Sequence, residues 1–151
     1  MAETLGSLCD KLTVVKLKQW HTRDPQRLES LAAQETQLTD EINEFIGSAA
    51  AGATPLERLV FAANKVYASP QGAAENIPGT IGDVVARLAA VNCALWHEQE
   101  KVYEFERIPA ERKDGVIQEL ARLNLDRNAC IEAIDRLVRD LIAGRSGTAT
   151  T

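Results

Sequence analysis

The sequence predicts an all-α protein: a four-helix bundle of two pseudo-repeated antiparallel αα-hairpins, with a short accessory helix between them. Three observations carry that expectation. Apolar residues recur at helical spacing, and long stretches lack the Val/Ile/Tyr alternation of strands. Ala and Leu are plentiful and aromatic residues few. The chain also repeats itself: Leu12, Val15, Trp20 and His21 recur in register as Leu88, Val91, Trp96 and His97. Each block is followed three residues on by a carboxylate, Asp24 and Glu100.

The elements follow in order. Helix one spans about residues 3–23. Asp24-Pro25 reads as an N-cap followed by proline at the first helical position, where its missing N–H costs nothing. Helix two then runs to about Ile46, with Gly47 as its stop. A small-residue linker reaches Thr54-Pro55-Leu56-Glu57, a capping-box pattern. It should open a short amphipathic helix to about Tyr67, with Leu56, Leu59, Val60, Ala63 and Val66 on its apolar side. Residues 69–72 and 77–79 read as loop. Thr80 and Asp83 cap a long helix three over about 81–107. Pro109 restarts the chain as helix four, to about Ala143, with Gly115 as a possible break in its first turn. Residues 144–151 read as a loose tail. The whole is one domain: hairpin one over 3–47, the linker and short helix over 48–79, hairpin two over 80–143.

The repeat continues beyond the Trp-His blocks. The segment from Gln34 to Phe45 aligns with that from Asp126 to Leu137. The offset grows from 76 to 92 residues, as it should if each arm of the second hairpin is eight residues longer. Eight residues are about 12 Å of helix, so the second hairpin should be the taller.

Composition narrows the function. The formal charge is −5, and no cluster of Lys or Arg forms the basic stripe a nucleic-acid interface needs. No apolar run approaches the ~20 residues that span a bilayer. The first residues lack the basic and apolar regions of a secretory signal, and three cysteines include no CxxC pair. These features point to the cytoplasm, with neither nucleic acid nor membrane as partner.

The helical faces carry polar intruders. On helix three, Ile81, Val84, Val85, Leu88, Val91, Leu95 and Val102 share an arc with Asn92 and Gln99, and Trp96 lies at its edge. On helix one, Lys16, Gln19 and Arg23 intrude among Leu5, Leu8, Cys9, Leu12 and Val15. On helix four, Asn124, Arg127 and Asp135 fall among Val116, Ile117, Leu120, Leu123, Ile131, Ile134, Val138 and Leu141. The repeat sets Arg127 opposite Glu35, so these two should pair across the bundle. The functional reading is a polar ligand pocket in the bundle interior. The plainer reading is a satisfied hydrogen-bond network that fixes helix register.

His21 with Val14 and Leu17, and His97 with Ala90, Cys93 and Glu100, form a second face. The middle helix, a protein partner or a second copy in a homodimer could cover it. His97 and Glu100 lie one turn apart, and with His21 they could hold a divalent metal. The order is reversed from the Glu-x-x-His of di-metal bundles, however, and Asp24 is better explained as a cap. The alternative is that each histidine packs beside its own tryptophan, with no cofactor. The cysteines align with aliphatic residues of the other half, Cys9 with Val85, Cys93 with Leu17 and Cys130 with Leu38. They read as small apolar fillers, and the tryptophans as packing anchors. Phosphate-loop, dinucleotide, HExxH and GxSxG motifs are absent.

The segment from Leu95 to Glu100, then the one from Leu123 to Asn128, then Ile134-Asp135, resembles a bacterial helical family described only as domain of unknown function 4254. That family pairs a Trp-His-plus-acidic block with a later Asn-x-x-Arg-Asn-x-x-Ile-x-x-Ile-Asp block, and the resemblance covers nearly the whole chain. It implies an all-helical cytoplasmic protein and adds no reaction. His97, Glu100, Asn124, Arg127, Asn128 and Asp135 are the matching positions. Together with Trp96, Gln99 and Glu35 they make the candidate ligand site. The leading expectation is a non-catalytic binding or scaffolding module, using a polar bundle interior or an apolar side face. The rival is a metal-assisted hydrolase or other small-molecule enzyme, with a His/Glu/Arg/Asn site inside the bundle.

Overall fold

The computed structural model of the chain describes residues 3–61 and 77–147, the last three of these by backbone alone. Among the described residues four α-helices follow one another: α1 (Leu5–His21), α2 (Pro25–Ala50), α3 (Ile81–Tyr103) and α4 (Ala110–Gly147). No strand occurs among the described residues. The protein is an all-α bundle, and no described helix is long and apolar enough to cross a membrane. Helices α1 and α2 form one hairpin and α3 and α4 the other, with α1 packed on both α3 and α4. The second hairpin is the taller, with helices of 23 and 38 residues against 17 and 26.

Local chemistry explains most boundaries. The Asp24 carboxylate accepts from the backbone N–H of Gln26 and Arg27, and Pro25 opens α2. Thr80 and Asp83 form a reciprocal capping box, each side chain accepting from the other's backbone N–H. Thr4 caps α1, which begins at Leu5 and ends at His21, inside the expected bounds of 3–23.

Other boundaries differ from expectation. Helix α2 runs through Gly47, where nothing lies near its missing side chain. An interior glycine costs only about 1 kcal/mol, and two residues later the helix buries Ala49 completely. The stop is Gly52, whose φ of 72° takes the left-handed turn and lets its N–H reach the Ala49 carbonyl. Gly115 and Gly144 likewise sit inside α4, which continues past Ala143. Helix α3 stops at Tyr103, and a separate 3-10 turn (Phe105–Arg107) leads into Pro109. The Thr54 hydroxyl pairs with Ser48 rather than capping a helix, and among the described residues a 3-10 turn, Leu56–Arg58, follows with no side-chain cap. Leu59 is buried there, while Ala63, Val66 and Tyr67 of the expected short helix lie outside the described residues.

The core sits between the hairpins. Val84 and Leu88 of α3 meet Ala129, Cys130, Ala133, Ile134 and Val138 of α4, joined by Leu5 and Ile77. Ile42 and Phe45 of α2 pack on its edge. Only Leu31 and Ala49 of α2 are buried, so α2 is the least embedded of the four helices. The ends of the α4 stripe emerge into solvent, with Ile117 and Leu141 at least half exposed.

Candidate functional site

Three helices meet at a charged centre. Asp10 of α1 is buried, and its carboxylate receives the forked guanidinium of Arg127 from α4, with Nε to Oδ1 at 2.8 Å and a second bond to Oδ2. Asn92, buried on α3, donates to the same Oδ1 at 2.8 Å and to the Thr13 hydroxyl at 2.7 Å. The carboxylate holds Arg127 firmly charged, raising its pKa further. Such a pair stabilises only when its hydrogen bonds are complete, because desolvation opposes the attraction. Here both carboxylate oxygens are used.

The expected Arg127–Glu35 pair does not form. Glu35 instead accepts from Lys16 Nζ at 2.9 Å and Gln19 Nε2 at 2.8 Å, tying α2 to α1. Those two bonds hold its carboxyl below the ordinary range. The physical reason lies in reach: Asp10 approaches α4 from the face of α1 turned toward the core, whereas Glu35 sits on the outer α1–α2 seam.

Two turns further along α4, Asp135 is buried against the first turn of α1. Its Oδ1 accepts from the Gly6 backbone N–H at 2.7 Å, while Oδ2 is buried with no hydrogen-bond partner. Burial pushes its pKa up to about 6; the Gly6 N–H, the Thr4 side chain and Arg136 oppose that shift, and Glu132 adds to it. Asn124 and Asn128, half-buried, turn back on their own helix and donate to the Leu120 and Asn124 carbonyls. The α4 candidates therefore serve different neighbours.

Above the Asp10–Arg127 pair, α1 and α2 enclose an open cavity of about 430 Å³. Lys11, Lys18, Gln34, Gln37 and Glu41 line it, with Arg127 at its floor. Lys11 is paired with Glu3 at 2.8 Å. Lys18 takes part in no ion pair among the described residues.

The Trp-His blocks meet at the far end of the same seam. His21 stacks on Trp96 from the other hairpin, ring centroids 4.6 Å apart and planes 22° from parallel. Neither histidine sits against its own tryptophan in that way, and Trp20 is 82% exposed, so it anchors nothing. His21 Nδ1 lies 2.8 Å from the Leu17 carbonyl, and Trp96 Nε1 donates to Glu100 at 2.9 Å. His97 and His21 are edge to face at 6.3 Å. His97 reaches Glu100 at 3.7 Å through Nδ1 and Cys93 Sγ at 3.9 Å through Nε2. His97, Glu100, Gln99 and Cys93 are exposed, so Gln99 leaves the expected interior arc and Cys93 is no core filler. Cys130 is buried in the core and Cys9 half-buried, as small apolar groups should be. No group of three His, Cys, Asp or Glu among the described residues stands as a metal cage.

Asp10, at the charged centre, was missed by sequence reasoning, as were Lys18 and Arg27 along the seam. One signal was present for Asp10: in the repeat it aligns with Ala86, a polar group where the other half has an apolar one. Asn92 was legible as an intruder on the apolar arc; its partner was not. Comparisons with protein-family models, curated proteins and solved structures return no match.

Proposed function

We propose that this chain is a non-catalytic binding module that takes a small polar ligand in the cavity between α1 and α2, above Arg127. The observation that carries this reading is the state of Arg127. Its side chain is fixed by two bonds to a buried carboxylate, yet remains about one third exposed at the cavity floor. A guanidinium locked in place loses little further freedom when it meets a ligand, and preorganisation of that kind raises affinity. Lys18 adds a second cation at the rim. A carboxylate- or phosphate-bearing metabolite suits both.

The test is thermal unfolding against carboxylates, sugar phosphates and inorganic phosphate. A ligand at 100 times its dissociation constant should stabilise the fold by about 2.7 kcal/mol. The gain should shrink in Arg127→Lys, which keeps the charge and loses the fork. A flat panel overturns the reading.

A scaffolding role has one observation in its favour. The tip of the taller hairpin exposes Tyr103 and Ile117 to solvent. A protein partner or a second copy seated there would bury them. Sedimentation of the chain with and without Ile117→Glu tests the homodimer, which requires a concentration-dependent mass that the variant loses.

A further inference from the structure

We propose that the His21–Trp96 end of the seam is a pocket for a planar aromatic anion of the nucleoside-phosphate class. The inference deepens the reading of the α1–α2 seam as a ligand site and rests on it.

Charge is the first support. The chain carries a net charge of −5, and the cavities at the hairpin tip, over Arg127 and beside Phe45 each have three carboxylates in their walls. The cavity at His21 and Trp96, also about 430 Å³, has none. It has two cations instead, Lys18 and Arg27. Lys18 has no ion-pair partner among the described residues. Arg27 stands 3.8 Å from Asp24, at the far limit of an ion pair, and that carboxylate is already bonded to two backbone N–H groups. Both cations are thus available to an anion. With no carboxylate in its wall, this cavity repels an anion less than the one over Arg127, where Glu41 has no cation partner among the described residues.

The second support is the aromatic wall. Two conjugated rings from different helices lie stacked, and the ring nitrogens His21 Nδ1 and Trp96 Nε1 are occupied by Leu17 and Glu100. What the pair offers a ligand is flat π surface. A heteroaromatic base gains about 1–3 kcal/mol from such a surface. The floor is Leu31, which is buried, and Ser30 and Gln34 supply neutral donors and acceptors for hydroxyl groups or base edges. An apolar wall with a few convergent polar groups is the usual make-up of a small-molecule site.

The third support is continuity. Lys18 and Gln34 line both this cavity and the one over Arg127. One ligand can therefore place its ring against Trp96 and its anionic group toward Lys18, in line with the polar groove beyond.

The experiment uses the full chain carrying Trp20→Phe, which leaves Trp96 as the sole indole. AMP is titrated while Trp96 emission is followed, with ribose 5-phosphate and inorganic phosphate in parallel thermal-unfolding runs. Saturable quenching is expected, with AMP binding at least about tenfold tighter than ribose 5-phosphate, the worth of one stacked ring. Lys18→Gln and Arg27→Gln should each weaken AMP severalfold while helicity stays intact by circular dichroism. Absence of saturable quenching at millimolar AMP, or equal affinity for AMP and ribose 5-phosphate, overturns the inference. If ribose 5-phosphate or phosphate stabilises the fold through Arg127 while AMP leaves Trp96 unquenched, the groove reading stands and this one falls. If AMP quenches Trp96 and Arg127→Lys changes nothing, the aromatic pocket stands and the groove reading falls. A flat response to every probe removes both.

Discussion

The backbone N–H of Gly6 and the carboxylate of Asp135 join the two ends of the chain, at 2.7 Å and across 129 residues of sequence. Asp135 caps a helix it does not belong to. The first N–H groups of α1 have no partner within α1, and a carboxylate at a helix N-terminus is favoured by the local dipole. The approach is possible because residue 6 has no side chain: a Cβ there would lie 2.3 Å from the Ile131 carbonyl oxygen.

Gly6→Ala therefore separates propensity from packing. Alanine is the better helix former by about 1 kcal/mol. The clash is with backbone, which cannot swing aside, so α1 must shift from α4 and stretch the Asp135 bond. We expect a net loss of about 3 kcal/mol by urea denaturation. A neutral or stabilised Gly6→Ala would mean that the helices are not in contact at this point.

Asp135 should also make stability depend on pH. Its folded pKa, about 6, lies above the ordinary 3.8. The folded state thus binds the proton more tightly than the unfolded chain. The resulting stabilisation is fully present below pH 3.8 and is lost as pH rises through about 6. The swing is on the order of 2–3 kcal/mol. Glu3, Glu35, Asp83 and Glu119, whose pKa values are lowered, act in the opposite sense. The measurement is consequently the difference between the parent and Asp135→Asn from pH 4 to 7. The parent should lose stability relative to the variant as pH rises, and a difference that does not change with pH would rule out a raised pKa.

Asp10 and Arg127 should behave as a coupled unit. Asp10→Leu alone leaves a half-buried guanidinium without its partner and should cost about 3 kcal/mol. Pairing it with Arg127→Met removes both charges, and the double variant should be more stable than the two single losses added together. Additive losses in the double-mutant cycle would show that the bonds contribute nothing to stability.

Thr80→Ala removes one half of the capping box and should cost about 1 kcal/mol. Guanidinium melts at neutral pH read this directly, and an unchanged midpoint would mean that the first turn of α3 is held by its packing alone.

These predictions divide according to what the sequence could show. The caps at Asp24 and Thr80 were legible because a cap is local: the donor and acceptor lie within three residues. The taller second hairpin was legible from the growth of the repeat offset. Gly47 misled because glycine at a helix end and glycine inside a helix look alike in one dimension; only the burial of Ala49 decides. Arg127 and Asp135 were placed near the interior by helical spacing. Their partners, Asp10 and Gly6, lie more than a hundred residues away and are set by how α1 crosses α4. Cys93 and Trp20 failed as core residues for a related reason. Spacing shows which residues share a face, and the packing of the other helices decides whether that face is covered.

The unequal height of the hairpins has a consequence for how the protein opens. Helix α4 is 38 residues long, about 57 Å, against 17 residues for α1. The cavity at the hairpin tip is lined only by α3, α4 and their connection. Among the described residues the bundle is two helices thick there, whereas α1 covers α4 around Arg127 and Asp135. Backbone amides should exchange with solvent deuterium in a gradient along α4: fast from about residue 112 to 120, slow from about 127 to 138. A single helix would then report two stabilities, with the connection between the arms of the second hairpin opening many times before the bundle as a whole unfolds once.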